Sequence, residues 1–405
     1  MKPIVRAGRM KPVHSDIRGP LFVEAMNRQK QGIDILKLNT GNPATFGFGL
    51  PDSIKNALME HMQDGVGYCD FKGMPQARQA ICDYETSKGI KGITSDDVFI
   101  GNGVSEVVSF ALTPLLNDGD EVLVPSPSYS LWGNSVYLED GKPVFYTCDE
   151  QANWYPNIQD IRSKITDKTK AIVIINPNNP TGVLYPKEIL LEIIQVAREF
   201  GLLIFADEIY DRLVMDGKQH ISLASLTEDV PVITLNGLSK SHCLCGYRCG
   251  WMVISGPREL TEDYRQGIIQ LTSLRLCANT MAQIVIPAAL DDMDTPTSMV
   301  RPGGRIYEQR EATVRELEKI NGLSFVKNDA AFYVFPKLDV KKFNITNDKQ
   351  FAHDLLDATN ILLVPGSGFD WKDPDHFRIV MLPQADILSD AIRRMGTFLD
   401  GYKQK

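Results

Sequence analysis

A chain of 405 residues, 43% hydrophobic and 23% charged, carries enough apolar mass for a large core spread over two or three domains. Its net charge of −8 argues against nucleic-acid and anionic-membrane partners, and no apolar run approaches the ~20 residues needed to cross a bilayer. The first twenty residues lack the apolar stretch of a signal peptide, and seven cysteines without paired spacing suit reduced thiols, so a cytoplasmic protein is expected.

Residues 1–17 show no periodicity and read as an N-terminal arm. Asp16-Ile17-Arg18-Gly19-Pro20 then leads into a helical pattern with Leu21, Val23, Ala25 and Met26 apolar. Ile33 to Leu38 is a short strand candidate. It ends in Asn39-Thr40-Gly41-Asn42-Pro43, where Gly41 either lets backbone approach a ligand or simply serves the turn. Pro51 suits the first turn of a helix. Gly65 to Gly73 is a glycine-rich loop carrying Tyr68, and Met74 to Lys88 is an amphipathic helix closed by Gly89.

Asp97 to Ile100 predicts a strand that runs through Gly101-Asn102-Gly103-Val104-Ser105-Glu106 into an apolar helix. A strand, a glycine turn and a helix start offer free N–H groups and the positive end of the helix dipole to an anion. Glu121 to Val124 is the next strand; Tyr129 follows its carboxyl end, placed to stack on a flat ring or to fill the core. Pro143 to Tyr146 is a short strand, and Tyr155 to Lys164 passes from a loop into a helix. Ala171 to Ile175 is a buried strand followed at once by Asn176-Pro177-Asn178-Asn179-Pro180-Thr181-Gly182. Lys187 to Phe200 is a helix ended by Gly201. Leu202 to Ala206 leads into Asp207-Glu208-Ile209-Tyr210; a carboxylate after five apolar residues must be paired or hydrogen-bonded to stay charged, unless Asp207 only caps a helix.

Val232 to Leu235 and Trp251 to Ile254 predict two strands joined by a polar loop that holds Lys240 and the glycine-bounded Arg248. An amine between two apolar strands can lose water, lower its pKa and attack an aldehyde. Arg248 suits a phosphate carried by that aldehyde. Cys243, Cys245, Cys249 and His242 crowd the loop without the spacing of a zinc site, so no metal is expected.

This βαβα rhythm predicts an α/β fold with a mostly parallel central sheet, helices on both faces, and ligands beyond the carboxyl ends of the strands. Gly103, Tyr129, Asn179, Asp207 and Lys240 each follow a predicted strand end. Asp291 to Gly304 reads as a polar linker. Beyond it come a charged helix (Ile306 to Ile320), strands at Phe332 to Phe335, Ile361 to Val364 and His376 to Met381, and a last helix in Pro383 to Tyr402. Arg378, inside an apolar strand, is costly unless it meets an anion. The division predicted is an arm (1–17), a smaller α+β domain (18–55 and 291–405) and a large ligand-binding domain (56–290).

Asn176 to Gly182, Asp207-Glu208-Ile209-Tyr210, Ser239-Lys240 and Gly246-Tyr247-Arg248-Cys249-Gly250 together resemble the fold-type I, class I/II aminotransferases, which use pyridoxal 5′-phosphate (PLP). The resemblance runs from Asp16 to the end. Within that family, DIRGP, NTGNPATFGF, GYCDFKG and HFRIV look most like the bacterial glutamate–pyruvate (alanine) aminotransferases. It implies a homodimer with shared active sites. It implies a ping-pong exchange of L-alanine and 2-oxoglutarate with pyruvate and L-glutamate. The alternatives are a PLP lyase, such as a carbon–sulfur lyase, or an aminotransferase for aromatic amino acids, valine or methionine.

By the same resemblance Lys240 holds the cofactor's aldehyde as an imine and shuttles the proton between Cα and C4′. Asp207 pairs with the pyridinium nitrogen, and Tyr210 and Asn179 bond the ring's O3′. Arg248, Ser239 and the N–H groups of Gly103, Val104 and Ser105 hold the phosphate. Tyr129 stacks on the ring, and Tyr68 reaches the neighbouring subunit's phosphate. Arg378 clamps the substrate α-carboxylate, helped by Asn179 and the Gly41 backbone. Arg18 is the candidate for glutamate's distal carboxylate, an ordinary surface ion pair being the other reading. One departure stands out: many family members have a serine where this chain has Gly237, so a phosphate contact must come from elsewhere.

Overall fold

The computed structural model describes residues 2–405. Eight strands make its central sheet: β1 Val98–Asn102, β2 Glu121–Ser126, β3 Lys142–Asp149, β4 Tyr155–Pro156, β5 Thr169–Ile175, β6 Leu203–Asp207, β7 Val232–Gly237 and β8 Cys249–Ser255. Their order is β1-β8-β7-β6-β5-β2-β3-β4. The five strands from β7 to β3 run parallel. β8 is antiparallel to both β7 and β1, and β4 is antiparallel to β3. Every residue of β6, β7 and β8 is buried. Strands covered on both faces read as unbroken apolar runs, which is how they stand out in the sequence.

Alternation along β6 decides where its last side chain points. Ile204 and Ala206 pack on one face with Leu190 and Ile193 of the helix Lys187–Phe200. Leu203 and Phe205 pack on the other with Val107, Val108 and Trp132. With a period of two, Asp207 falls on the second face, beside Trp132 and the helix Val104–Leu112. The helix Lys187–Phe200 buries Leu190, Ile193, Ile194 and Ala197 along one stripe and ends at Gly201, whose φ of +67° is the left-handed cap glycine favours.

The C-terminal part packs the helices Arg305–Leu317, Asp348–Thr359 and Ala385–Gly401 around a separate core that includes Phe351, Leu388 and Met395. Tyr333–Val334 and Val364–Pro365 flank Phe377–Val380 in a small antiparallel sheet. The early segment Leu36–Lys37 pairs in parallel with Ile361–Leu362 in a separate two-stranded sheet. Of the expected strand Ile33–Leu38, Leu36 and Lys37 form this ladder, and the Leu38 N–H extends it by donating to the Leu362 carbonyl at 2.8 Å. The expected linker Asp291–Gly304 contains the helix Asp294–Val300, because Asp292 accepts hydrogen bonds from the Thr295 N–H and hydroxyl and fixes its first turn. Lys240 is not in a loop: β7 passes directly into a one-turn helix, Leu238–Ser241, that carries it. Among the described residues no single helix is long and apolar enough to cross a membrane.

Candidate active site

The carboxyl ends of the parallel strands and the small C-terminal sheet meet around two buried groups of opposite charge. Asp207 closes β6. Its Oδ2 accepts from the Trp132 indole N–H at 3.1 Å and its Oδ1 from the Ile209 N–H at 3.4 Å. Burial lifts its carboxyl to about 6; the two hydrogen bonds and the charge of Lys240 resist the rise, and Glu208 adds to it. Arg378 is 1% exposed. Its Nη1 donates to Asn179 Oδ1 at 2.9 Å, and its Nη2 donates to the Asn39 carbonyl. The guanidinium lies between the rings of Tyr333 and Phe369, each centred 4.6 Å from Cζ. Nε has no partner, and no carboxylate pairs with the group among the described residues. A buried cation left this way is a ready site for an anion.

Lys240 stands between these poles. Its Nζ donates to the Gly41 carbonyl at 3.0 Å and lies 5.9 Å from the Phe332 ring centre. The expected fall in its pKa is not found. Burial does pull the ammonium down, but Tyr333, Cys245 and Tyr129 outweigh it and keep the group above the ordinary lysine value. The Tyr210 and Tyr333 hydroxyls are 2.8 Å apart, and a Cβ on Gly41 would strike the Tyr333 hydroxyl. Glycine at 41 therefore keeps backbone, lysine and both tyrosines within one small volume.

The start of the helix Val104–Leu112 is a cradle. Gly103 precedes it at φ +84°. Its own N–H is taken by the Gly101 carbonyl at 2.8 Å, which removes it from the expected anion donors and leaves Val104 and Ser105, whose first-turn N–H groups have no acceptor within the helix. A Cβ on Gly103 would run into the Arg248 guanidinium, and one on Gly250 would run into the Val104 nitrogen. These two glycines let Arg248 and β8 press onto the helix start. Arg248 is exposed and donates to the Cys245 carbonyl at 2.9 Å. Ser239 sits one residue before Lys240, partly buried. Gly237 pairs across the sheet with Gly250, and a Cβ on it would lie 2.5 Å from the Cys249 carbonyl oxygen. The absence of a serine at 237 is thus part of how β7 and β8 close on each other.

Tyr129 is partly buried just beyond β2, close enough to Lys240 to act on its charge. Two expected residues stand apart from the others. Tyr68 is 84% exposed. Arg18 is exposed and makes no side-chain hydrogen bond or ion pair among the described residues. Its neighbour Ile17 accepts a hydrogen bond from Asn39 Nδ2 at 2.9 Å, and the Asn39 carbonyl accepts from Arg378. Trp132, Tyr333, Asn39 and Phe369 are site residues that the sequence reading passes over. A buried indole N–H always needs an acceptor, and that is the one signal Trp132 offers.

Residues 33–392 match the family model described as aminotransferase class I and II. The chain is 49% identical over 404 residues to the glutamate-pyruvate aminotransferase AlaA of Haemophilus influenzae, with 100% of both proteins covered. It is 45% identical to an alanine aminotransferase of Mycobacterium tuberculosis, covering 100% of this chain and 94% of the relative. A crystal structure of an Escherichia coli aminotransferase superposes with a TM-score of 0.98 at 46% identity over 100% of both chains. An alanine aminotransferase from Pyrococcus furiosus gives 0.92 at 40% identity, covering 98% of this chain and 100% of that one.

Proposed function

Because the chain belongs to the class I and II aminotransferases and has their fold-type I architecture, we propose that it exchanges amino groups between L-alanine and 2-oxoglutarate on one side and pyruvate and L-glutamate on the other. The observation that carries this reading is Arg378, a buried guanidinium without a counter-ion among the described residues, held by Asn179 and Tyr333 and close enough to Lys240 to act on its charge. It offers one α-carboxylate site, and both amino acids and both oxo acids have that group.

PLP is the cofactor this family uses, and the residues fit it. Asp207 is a buried acid with no cation in contact, which matches a protonated ring nitrogen. The Val104 and Ser105 N–H groups beside Arg248 match a phosphate. Lys240 is the amine in reach of a carbonyl between them. When bound, the cofactor supplies an electrophilic carbonyl and a ring that withdraws electrons from the substrate Cα. Asp207 keeps the proton on the ring nitrogen. The Tyr210 hydroxyl, bonded to that of Tyr333, and the Asn179 amide would hold the ring oxygen. Arg378 takes the α-carboxylate through two N–H groups, with Asn179 Oδ1 fixing its plane. Lys240 Nζ removes the Cα proton and returns it as general base and then acid. The same pocket serves both half-reactions, so the first oxo acid leaves before the second enters.

We also assign the chain to a homodimer, an arrangement that gives the exposed Tyr68 a neighbour to reach. The working division is an arm (1–17), a smaller domain (18–55 and 291–405) and a cofactor-binding domain (56–290). Its seven unpaired cysteines suit the cytoplasm. The test is to give the PLP-loaded protein pyruvate and nitrogen-labelled L-glutamate. Labelled alanine and 2-oxoglutarate should form in equal amounts. Ammonia released without any 2-oxo acid would mean a lyase instead, and no alanine would overturn the substrate assignment.

A further inference from the structure

The N-terminal arm is tied to the rest of the molecule at a few points, and His14 makes most of them. Arg9 pairs with Asp140 at 3.0 Å at the surface. The His14 N–H donates to Asn134 Oδ1 at 3.1 Å, and its carbonyl accepts from Asn134 Nδ2 at 2.6 Å, a two-way link to the helix Leu131–Leu138. The ring reaches the other way. Its Nε2 is 3.0 Å from Asp370 Oδ1 and its Nδ1 is 3.7 Å from Asp16 Oδ2. Asp370 follows the turn Gly366–Phe369 beside Arg378, and its carbonyl accepts from Ser126 Oγ at 2.7 Å at the end of β2. Asp16 meets Lys349 of the helix Asp348–Thr359 at 3.1 Å. Three residues after His14 comes Ile17, whose carbonyl is bonded to Asn39, which in turn holds Arg378.

We propose that His14 is a positioning residue: its ring, carried between Asp16 and Asp370, pins the arm to the central-sheet helix and the C-terminal part together, and so holds Ile17 and Arg18 beside the Arg378 end of the substrate pocket. The proposal rests on the aminotransferase reading and deepens it, because it concerns which oxo acid that pocket accepts.

Both ring nitrogens face carboxylates, Asp370 at hydrogen-bond distance and Asp16 at ion-pair distance, and only a doubly protonated ring turns an N–H toward each. The carboxylates of Asp16 and then Asp370 push His14 up to about 9, against the pull of its partial burial. His14 is in turn the main influence holding Asp16 below the usual carboxylate range, followed by Lys349. Tyr137 of the helix Leu131–Leu138 also feels Asp370, which together with its burial raises it. A histidine raised in the folded state contributes its stabilisation in full below the free imidazole value of ~6.5. That contribution is lost as pH rises through about 9.

Two measurements on the PLP-loaded protein test this. The first uses no substrate: trypsin cleavage at Arg9 and Arg18 in wild type and His14→Ala at pH 7.5 and pH 9.8. Wild type should be protected only at the lower pH, and the variant cut quickly at both. The second is the ratio of kcat/KM for 2-oxoglutarate to that for pyruvate between pH 7 and 10, a comparison in which neither oxo acid titrates. In wild type the ratio should fall with a midpoint near 9. In His14→Ala it should already be low at pH 7 by roughly tenfold, carried by KM with kcat little changed, and flat with pH; this is short of the ~10²-fold that follows a 1 Å misplacement of reacting groups. His14→Lys, which keeps one positive charge, should recover part of the wild-type substrate ratio at pH 7. Equal protection of the arm in wild type and His14→Ala overturns the latch. Altered protection with an unchanged substrate ratio overturns its role at the pocket. If wild type accepts neither oxo acid, the aminotransferase reading fails instead, while the cleavage result still reports on the arm.

Discussion

Asp207 is a carboxyl with nothing positive in contact, and that leaves a thermodynamic mark on the cofactor-free protein. Its folded value is about 6, whereas a free aspartate titrates near ~3.9. Between those values the folded state keeps a proton that the unfolded state has lost, so stability falls as pH rises across the window. The shift corresponds to on the order of 3 kcal/mol at neutral pH. Asp207→Asn removes the charge that burial opposes. By urea denaturation, the cofactor-free variant should therefore be about 2–3 kcal/mol more stable than wild type at pH 7, with the gap closing near ~pH 4. A gap that does not change with pH would show that the carboxyl is not strained. With cofactor bound the sign of the consequence reverses: the variant should abstract the Cα proton at least ~10²-fold more slowly, about 2.7 kcal/mol at the transition state. Lys240 is tested separately. Borohydride reduction of the PLP form followed by peptide mapping should label Lys240 alone, and label on another lysine would end its assignment. At this scale the charged and motif-bearing residues are legible in the sequence, because they interrupt apolar runs. Trp132 and Tyr333 are not, because their significance depends on partners 75 and 123 residues away.

The β7–β8 pair shows how a whole element can replace one side-chain contact. Gly237 and Gly250 face each other in register, with the Cys249 carbonyl 2.5 Å from where a Cβ at 237 would lie and the Val104 nitrogen against Gly250. Restoring a hydroxyl by Gly237→Ser should not recover a phosphate contact. It should push the two strands apart and cost roughly 1–3 kcal/mol, the range for overpacking a tight site. Thermal denaturation and PLP titration read the two effects; tighter cofactor binding in the variant would show that the space exists after all. The buried strands are the elements most visible in the sequence. The helix Arg258–Arg275 gave no such signal, because its inward positions are Thr261, Arg265, Ile268 and Thr272, and Arg265 is made tolerable inside by Asp97 at 2.6 Å. A helix that buries polar groups in pairs has no apolar periodicity to read.

For the whole molecule, assembly as a homodimer is tested at the exposed Tyr68. Met59, Met62 and Val66 are also exposed there, a run of large apolar groups that a monomer would leave in water. Sedimentation should give twice the 45.2 kDa chain mass, and Tyr68→Ala should weaken PLP affinity without lowering the affinity of Arg378 for substrate carboxylate. A monomer that keeps full PLP affinity would exclude a shared site. The α/β class and the succession of strands along the chain are legible from composition and rhythm. How residues 36–37 pair with a strand more than 300 residues later is not, since that contact is set by tertiary packing and not by local pattern.

Arg378 and Arg18 differ most in how they meet ionic strength. Arg378 is walled by Tyr333 and Phe369, out of reach of mobile ions, whereas Arg18 stands in solvent. Added salt shortens the reach of exposed charges to ~8 Å at physiological concentration and ~3 Å at 1 M, while leaving enclosed ones nearly untouched. Substrates that need only Arg378, alanine and pyruvate, should keep their KM as salt rises, and glutamate and 2-oxoglutarate should lose affinity. The aromatic walls would then make substrate preference a function of the salt around the enzyme, with alanine favoured in concentrated brine and glutamate in dilute buffer.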